Sequence, residues 1–80
     1  MENIPQIHVQ ILTGRKIQLL IDARYDHLLD IKKKIQIKEG IHPDQQILLL
    51  NGIRLKHGLA SDLHIEDGAC LFLTLRNRGG

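Results

Sequence analysis

The last six residues of the chain, LRNRGG, suggest a chemical role more clearly than any other segment. Gly79 and Gly80 end the chain behind Arg76 and Arg78. A glycine pair has no side chain to anchor it and loses the most backbone entropy on ordering, so it is a poor end for a fold. The pattern leaves two interpretations. It is a linker or a cut between domains, or it is a thin, accessible carboxyl terminus that another protein must reach.

Other chemistry has little support in the sequence. The five histidines are scattered, and only His8 and Cys70, predicted to point outward on neighbouring strands, suggest a metal pair. Two ligands do not make a metal site, and an 80-residue domain has little room for a catalytic cleft. We therefore expect no metal, no cofactor and no enzymatic activity. The lysines at 32–34 diverge by about 100° per helical residue, which predicts solvated surface rather than a phosphate site.

Composition bounds the class of protein. Eighty residues, 42% of them hydrophobic, make one small domain, and the net charge of +2 is mild. Tyr25 and Phe72 are the only aromatic residues, too few for a base-stacking surface, and there is no apolar run long enough to span a bilayer. We expect no binding to nucleic acid or membrane. The single Cys70 and the polar start of the chain indicate the cytoplasm, the nucleus or both.

Alternation with period two predicts strands at both ends of the chain. The first two form a hairpin through a Thr-Gly turn, and a third strand near 47–50 ends in an Asn-Gly turn followed by a short extended piece. In the last strand, Leu71, Leu73 and Leu75 are predicted to face inward. The inward residues of the hairpin are predicted to be Ile7, Val9, Ile11, Ile17, Leu19 and Ile21.

A change of period predicts one helix between these strands. Asp26 is the expected N-cap, and Gly40 the residue that ends the helix. A later stretch, ASDLHIEDGA, is predicted to be a turn with one helical turn capped by Ser61 or Asp62. The fold class is therefore α+β, a mixed sheet with one helix packed across one face. The buried helix stripe is predicted to be Leu28, Ile31 and Ile35.

Several of these segments together resemble ubiquitin: LTG in the first turn, KIQIKEGIHPDQQ from helix into loop, NG, SDLHI and LRNRGG. The match runs from about Gln6 to Gly80, with one residue inserted before Asp26 and one removed near Gly58. KEGIHPDQQ is the most specific part because it is a long irregular loop. The resemblance implies a ubiquitin-like β-grasp domain over residues 6–75, with a flexible extension over 1–5 and a flexible tail over 76–80.

The resemblance implies that the carboxyl-terminal tail is an acyl donor. An activating enzyme would adenylate the carboxylate of Gly80, and a ligase would pass it to a lysine amine, with Gly79 giving clearance in narrow enzyme channels. Arg76 and Arg78 would orient the tail, and Arg76 favours the ubiquitin-activating enzyme over that of ubiquitin's nearest relative, which carries alanine. Asn77 stands where ubiquitin has leucine, which removes apolar contact worth about 1–2 kcal/mol.

The resemblance also implies an apolar binding patch on the open face of the sheet. Its positions are Leu12, Ile47, Leu49, Phe72 and Thr74. Thr74 replaces a valine, whereas Ile47 and Phe72 replace arginine and histidine, so the patch is more apolar than ubiquitin's. The expected partners are activating, conjugating and ligating enzymes, together with ubiquitin-binding domains or proteasomal receptors.

The lysines divide into those retained and those lost. Lys32, Lys34 and Lys38 match ubiquitin's helix lysines and are candidate acceptors for further conjugation. At three other ubiquitin lysine positions the residues are Arg15, Ile53 and Asp67. We therefore expect this protein to cap substrates or chains rather than extend the common linkages.

Two further expectations remain open. Four apolar residues are predicted to point outward: Leu20, Leu29, Ile37 and Ile53. Their exposure has three possible explanations: weak self-association, cover by another domain, or sequence drift without function. The alternatives to a modifier are a non-conjugated ubiquitin-like domain of a larger protein that docks on proteasome or ubiquitin receptors, and a sulfur carrier whose terminal glycine becomes a thiocarboxylate.

Overall fold

The computed structural model describes residues 6–11 and 13–76, which form a five-stranded mixed sheet with one helix across a face. This confirms the α+β prediction and the β-grasp architecture. Between helix and third strand lies a 3-10 turn, Pro43–Gln45. The elements in chain order are β1 (Gln6–Ile11), β2 (Lys16–Leu20), α1 (Leu28–Glu39), β3 (Gln46–Leu50), β4 (Ile53–Leu55) and β5 (Cys70–Leu75).

The strand order, β2-β1-β5-β3-β4, puts the last strand of the chain at the centre of the sheet. β5 runs parallel to β1, with His8 opposite Cys70, and antiparallel to β3, with Leu48 opposite Leu73. The two hairpins, β1–β2 and β3–β4, are antiparallel. The carboxyl end of the domain therefore leaves from the middle of the sheet rather than from an edge.

The core lies between α1 and one face of the sheet, as the two periodicities predict. Leu28, Ile31 and Ile35 of α1 are buried, which confirms the predicted helix stripe. Ile11 of the hairpin is only partly buried against this core. The buried apolar residues of the strands are Ile7, Val9, Ile17, Leu19, Leu48, Leu55, Leu71 and Leu73.

The helix begins one residue later than predicted. Its N-cap is His27, whose extended backbone N–H donates to Asp30 Oδ2 at 2.9 Å. The prediction of Asp26 as N-cap is wrong because its carboxylate accepts instead from the backbone N–H of Asp22 and from Lys34. Gly40 ends the helix as predicted, in the left-handed region at φ 74°.

Two turns shape the second half of the chain. Asn51 and Gly52 both have positive φ, 52° and 80°, the combination that a tight hairpin turn between β3 and β4 requires. Farther on, Leu63 N–H bonds Leu59 O at 3.0 Å, and His64 in the left-handed region closes this single turn. The turn thus begins before Ser61, and neither Ser61 nor Asp62 caps it. In the part of the chain that the structure describes, no helix has the length and apolar character to cross a membrane.

Candidate functional site

Four residues of the expected binding patch lie side by side on β3 and β5. Ile47 is opposite Thr74, and Leu49 is opposite Phe72. Residues directly opposite each other on paired strands share a face, with Cβ atoms about 5 Å apart, so the four form one surface. Phe72 is 45% exposed, and the other three are half-buried. We call Ile47, Leu49, Phe72 and Thr74 the sheet patch; Leu12, the fifth expected member, lies outside the described residues.

A buried amide holds the start of β3 in place. Gln46 is only 2% exposed, and its Nε2 donates to Lys32 O at 2.8 Å and to Ile41 O at 2.9 Å. These carbonyls belong to the helix and to the loop after it, so one side chain ties both to the strand that carries Ile47 and Leu49. No sequence pattern indicates this role, because a glutamine at a strand start is usually solvated.

Arg76, where the expected tail begins, is bonded to the residue that precedes Gln46. Arg76 N–H donates to Gln45 O at 2.7 Å, and the Arg76 side chain is exposed. Asn77, Arg78, Gly79 and Gly80 lie outside the described residues. The expected tail therefore starts next to Gln46, at the end of the sheet where Ile47 and Thr74 complete the sheet patch.

Leu75 lies on the predicted inward face of the sheet but is not buried there. It is 55% exposed, although Leu71 and Leu73 on the same strand are buried. Leu75 is opposite Gln46, which takes the buried position at this end of the sheet. The inward face of β5 therefore ends in an exposed leucine next to Arg76, on the face opposite the sheet patch.

The structure separates the three candidate acceptor lysines. Lys34 Nζ donates to Asp26 Oδ2 at 2.9 Å and to Leu20 O at 2.7 Å, so its amine is held against the domain. Lys32 is partly buried; burial lowers its pKa, and the positive charge of Arg54 adds to the effect while Asp44 opposes it. Lys38, in the last helical turn, is exposed. Of the three, Lys38 offers the most accessible amine.

The pair His8 and Cys70 does lie on neighbouring strands, in direct register. Cys70 is exposed and His8 is half-buried. Within residues 6–11 and 13–76 no three His, Cys, Asp or Glu side chains come together as a metal-binding group would require.

Four of the exposed apolar residues outside the sheet patch fall where the sequence predicted. Leu20, Leu29, Ile37 and Ile53 expose between 52% and 84% of their surface. Leu20 and Ile37 meet in a groove between β2 and α1, whereas Ile53 lines a separate hollow beside β4.

Comparison with known proteins gives a consistent result. A sequence profile described as the ubiquitin family matches residues 7–78. Ubiquitin-like protein 1 of Schizosaccharomyces pombe is 41% identical over 92% of this chain and 95% of its own length. Ubiquitin-like protein NEDD8 of Dictyostelium discoideum is 41% identical over 92% and 96%, and NEDD8-like protein RUB1 of Saccharomyces cerevisiae is 36% identical over the same shares. The profile matches nearly the whole chain, and the structure has the β-grasp fold. The chain therefore belongs to the ubiquitin family.

Proposed function

We propose that this chain is a ubiquitin-like protein modifier, activated at Gly80 and attached by an isopeptide bond to target lysines. The observation that carries the proposal is the sequence LRNRGG in register behind a domain that matches small ubiquitin-like proteins over nearly their whole length. A docking module within a large protein, the alternative, is less favoured because these relatives are themselves about as long as this chain. The sulfur-carrier alternative has no support among these relatives.

The chemistry is that of a substrate rather than a catalyst. The Gly80 carboxylate attacks the α-phosphorus of ATP, and pyrophosphate leaves. An enzyme thiol then displaces AMP to give a thioester, and finally a lysine amine displaces the thiol. Residues without a Cβ suit a narrow channel around the reacting carboxylate, which is the role of Gly79 and Gly80. Arg76 and Arg78 supply charge-assisted contacts that orient the tail.

The surroundings of the tail favour partner contacts near its root. The sheet patch provides apolar area on the end of the sheet nearest Arg76, and contiguous apolar surface is typical of partner sites. We propose that ubiquitin-binding domains or proteasomal receptors recognise the sheet patch together with Leu12. Lys38 is the proposed acceptor for any further conjugation, and the cytoplasm or the nucleus is the proposed location.

The test is a thioester assay with two activating enzymes in parallel, that of ubiquitin and that of the NEDD8-type relatives. A thiol-sensitive adduct on a non-reducing gel is expected with the ubiquitin-activating enzyme and ATP, and deletion of Gly80 should abolish it. Arg76→Ala should weaken this charging by about tenfold or more, the cost of one charge-assisted contact, and favour the other enzyme. Asn77→Leu should strengthen it.

Charging of ubiquitin under the same conditions is the positive control. If neither enzyme forms an adduct with this chain while ubiquitin charges normally, the modifier proposal is wrong and the docking-domain alternative takes its place. An adduct that survives deletion of Gly80 would place the reacting group elsewhere.

A further inference from the structure

Two hollows adjoin at the segment that follows β4, one of about 260 Å³ and one of about 480 Å³. The smaller hollow lies at the start of α1, and the larger one lies beside β4. Lys56 and His57 line both of them, so a single ligand can contact the two hollows together. We call the residues that line the two hollows the β4–α1 surface.

Each hollow has one exposed aliphatic residue that the core does not use. Leu29, in the first turn of α1, is 52% exposed and lines the smaller hollow. Ile53, at the start of β4, is 68% exposed and lines the larger one together with the half-buried Leu63. Neither Leu29 nor Ile53 belongs to the sheet patch, so the binding role proposed for the sheet patch does not explain their exposure.

The polar part of the β4–α1 surface is positively charged. Lys32, Arg54 and Lys56 line it, and none of the three forms an ion pair among residues 6–11 and 13–76. Burial lowers the pKa of Lys32, and the charge of Arg54 lowers it further, against the opposing charge of Asp44. Asp62 is the one acidic residue among the described lining residues. The domain therefore leaves repulsion between neighbouring cations uncompensated, and a bound anion would relieve it.

We propose that the β4–α1 surface binds an acidic peptide segment of a partner protein, with one aliphatic side chain in each hollow and carboxylates between them. Charge complementarity favours this occupant, because carboxylates suit the three unpaired cations Lys32, Arg54 and Lys56. A polynucleotide is a poorer occupant, since neither aromatic residue of the described chain lines the hollows as a base-stacking surface would require. A second copy of the chain would bring the same cations to this surface. The proposal does not depend on conjugation at Gly80.

The test is titration of the ¹⁵N-labelled full chain with two capped peptides, Leu-Glu-Asp-Glu-Ile and Leu-Glu-Asp-Glu-Asp-Glu-Ile, which differ in the spacing of the two aliphatic residues. The amides of Leu29, Ile53 and His57 are expected to shift and saturate, whereas those of Leu20 and Phe72 stay in place. A peptide with lysine for each acidic residue should not bind. A peptide with serine for both aliphatic residues should bind at least about tenfold more weakly.

Lys56→Glu is the main variant, because Lys56 is exposed and lines both hollows. It should weaken binding by at least about tenfold, the effect of losing one charge-assisted contact. The matched control is Lys38→Glu, the same change of charge at an exposed lysine outside the β4–α1 surface, which should weaken binding far less. Ile53→Asp should also weaken binding, with Ile37→Asp, at an exposed isoleucine outside the surface, as its control.

The proposal is wrong if neither peptide shifts any amide up to about 1 mM, the weak end of specific binding. Equal weakening by Lys56→Glu and Lys38→Glu would reduce the interaction to net charge. Equal binding of the serine peptide would remove the role of the two hollows, and shifts centred on Phe72 would place the peptide on the sheet patch. If oligothymidylate binds the same amides more tightly than the peptides do, the surface is a nucleic-acid site instead.

Discussion

The sheet patch and the β2–α1 groove are both apolar, but they differ in what the backbone beneath them can offer. β3 and β5 are paired on both sides, so the sheet patch presents side chains only. Among residues 6–11 and 13–76, β2 is paired only with β1, so the groove presents side chains together with backbone groups that β1 does not pair. A closed region of sheet suits a preformed partner surface, whereas an open edge suits an extended chain that still needs hydrogen bonds. Two surfaces of similar apolarity on one small domain are thus suited to different classes of partner.

The largest expected effect comes from the core that both surfaces share. Leu48 lies on the buried side of β3, behind the sheet patch, and is fully buried. Leu48→Ala should lower the free energy of unfolding by about 2–5 kcal/mol, much of the stability of a domain this size. Chemical denaturation measured at amides of Phe72 and Leu20 should give one shared midpoint. Separate midpoints would show that the two surfaces unfold independently.

A smaller effect is expected from the sheet patch alone. Phe72→Asp places a charge where Phe72 and Leu49 now form an apolar pair, so it should weaken binding to a ubiquitin-binding domain by about tenfold or more. Ile37→Asp, an equally polar change at an exposed residue of α1, should leave this binding unchanged. Isothermal titration of the two variants with the same ubiquitin-binding domain measures the difference. Equal weakening by both variants would indicate that the sheet patch and the β2–α1 groove form one site.

Sequence periodicity predicted most of the fold because the core residues recur with the spacing that one face of a strand or helix requires. It failed at Leu75, which is 55% exposed at the end of β5 although Gln46, directly opposite on the same face, is buried. It also misplaced the N-cap: Asp26 pairs with Lys34, eight residues away and across the helix start. No local pattern marks such a pair, and only the folded position of α1 against β2 brings the two groups together.

The common face of the patch residues could be predicted because side chains alternate along each strand. Their pairing across β3 and β5 could not, because those strands are distant in sequence. The open edge of β2 could not, since strand order depends on which distant strands pair. The sequence does indicate that Leu20 and Ile37 are exposed. That they line one groove follows only from the packing of α1 beside the terminal strand.

The two lysines that line the groove differ in the accessibility of their amines. Lys38 is exposed, whereas the Lys34 amine donates to both Leu20 O and Asp26 Oδ2. Brief acetylation of the native protein should therefore modify Lys38 several-fold faster than Lys34, by about the factor that a charge-assisted contact confers. Mass spectrometry of the digested protein measures the ratio, and denatured protein, where both amines are free, is the control. Equal rates in the native protein would mean that the Lys34 contacts do not persist in solution.

The smallest expected effect concerns the carboxylate that fixes Lys34. Burial by itself would raise the pKa of Asp26, but hydrogen bonds from Lys34 and from the Asp22 N–H, with the charge of Lys34, lower it below its ordinary 3.8. The unfolded chain then takes up this proton at higher pH than the folded one, so the stabilisation is present above pH 3.8 and is lost as pH falls through the folded pKa. Because Lys34 is 37% exposed, solvent screening limits the effect to about 1 kcal/mol or less. In urea unfolding, Asp26→Asn should have a lower free energy of unfolding than the unaltered protein at pH 6, and this difference should shrink by pH 3. Asp62→Asn, at an exposed position, is the control. A difference that stays constant with pH would assign Asp26 a packing role instead of an ionic one.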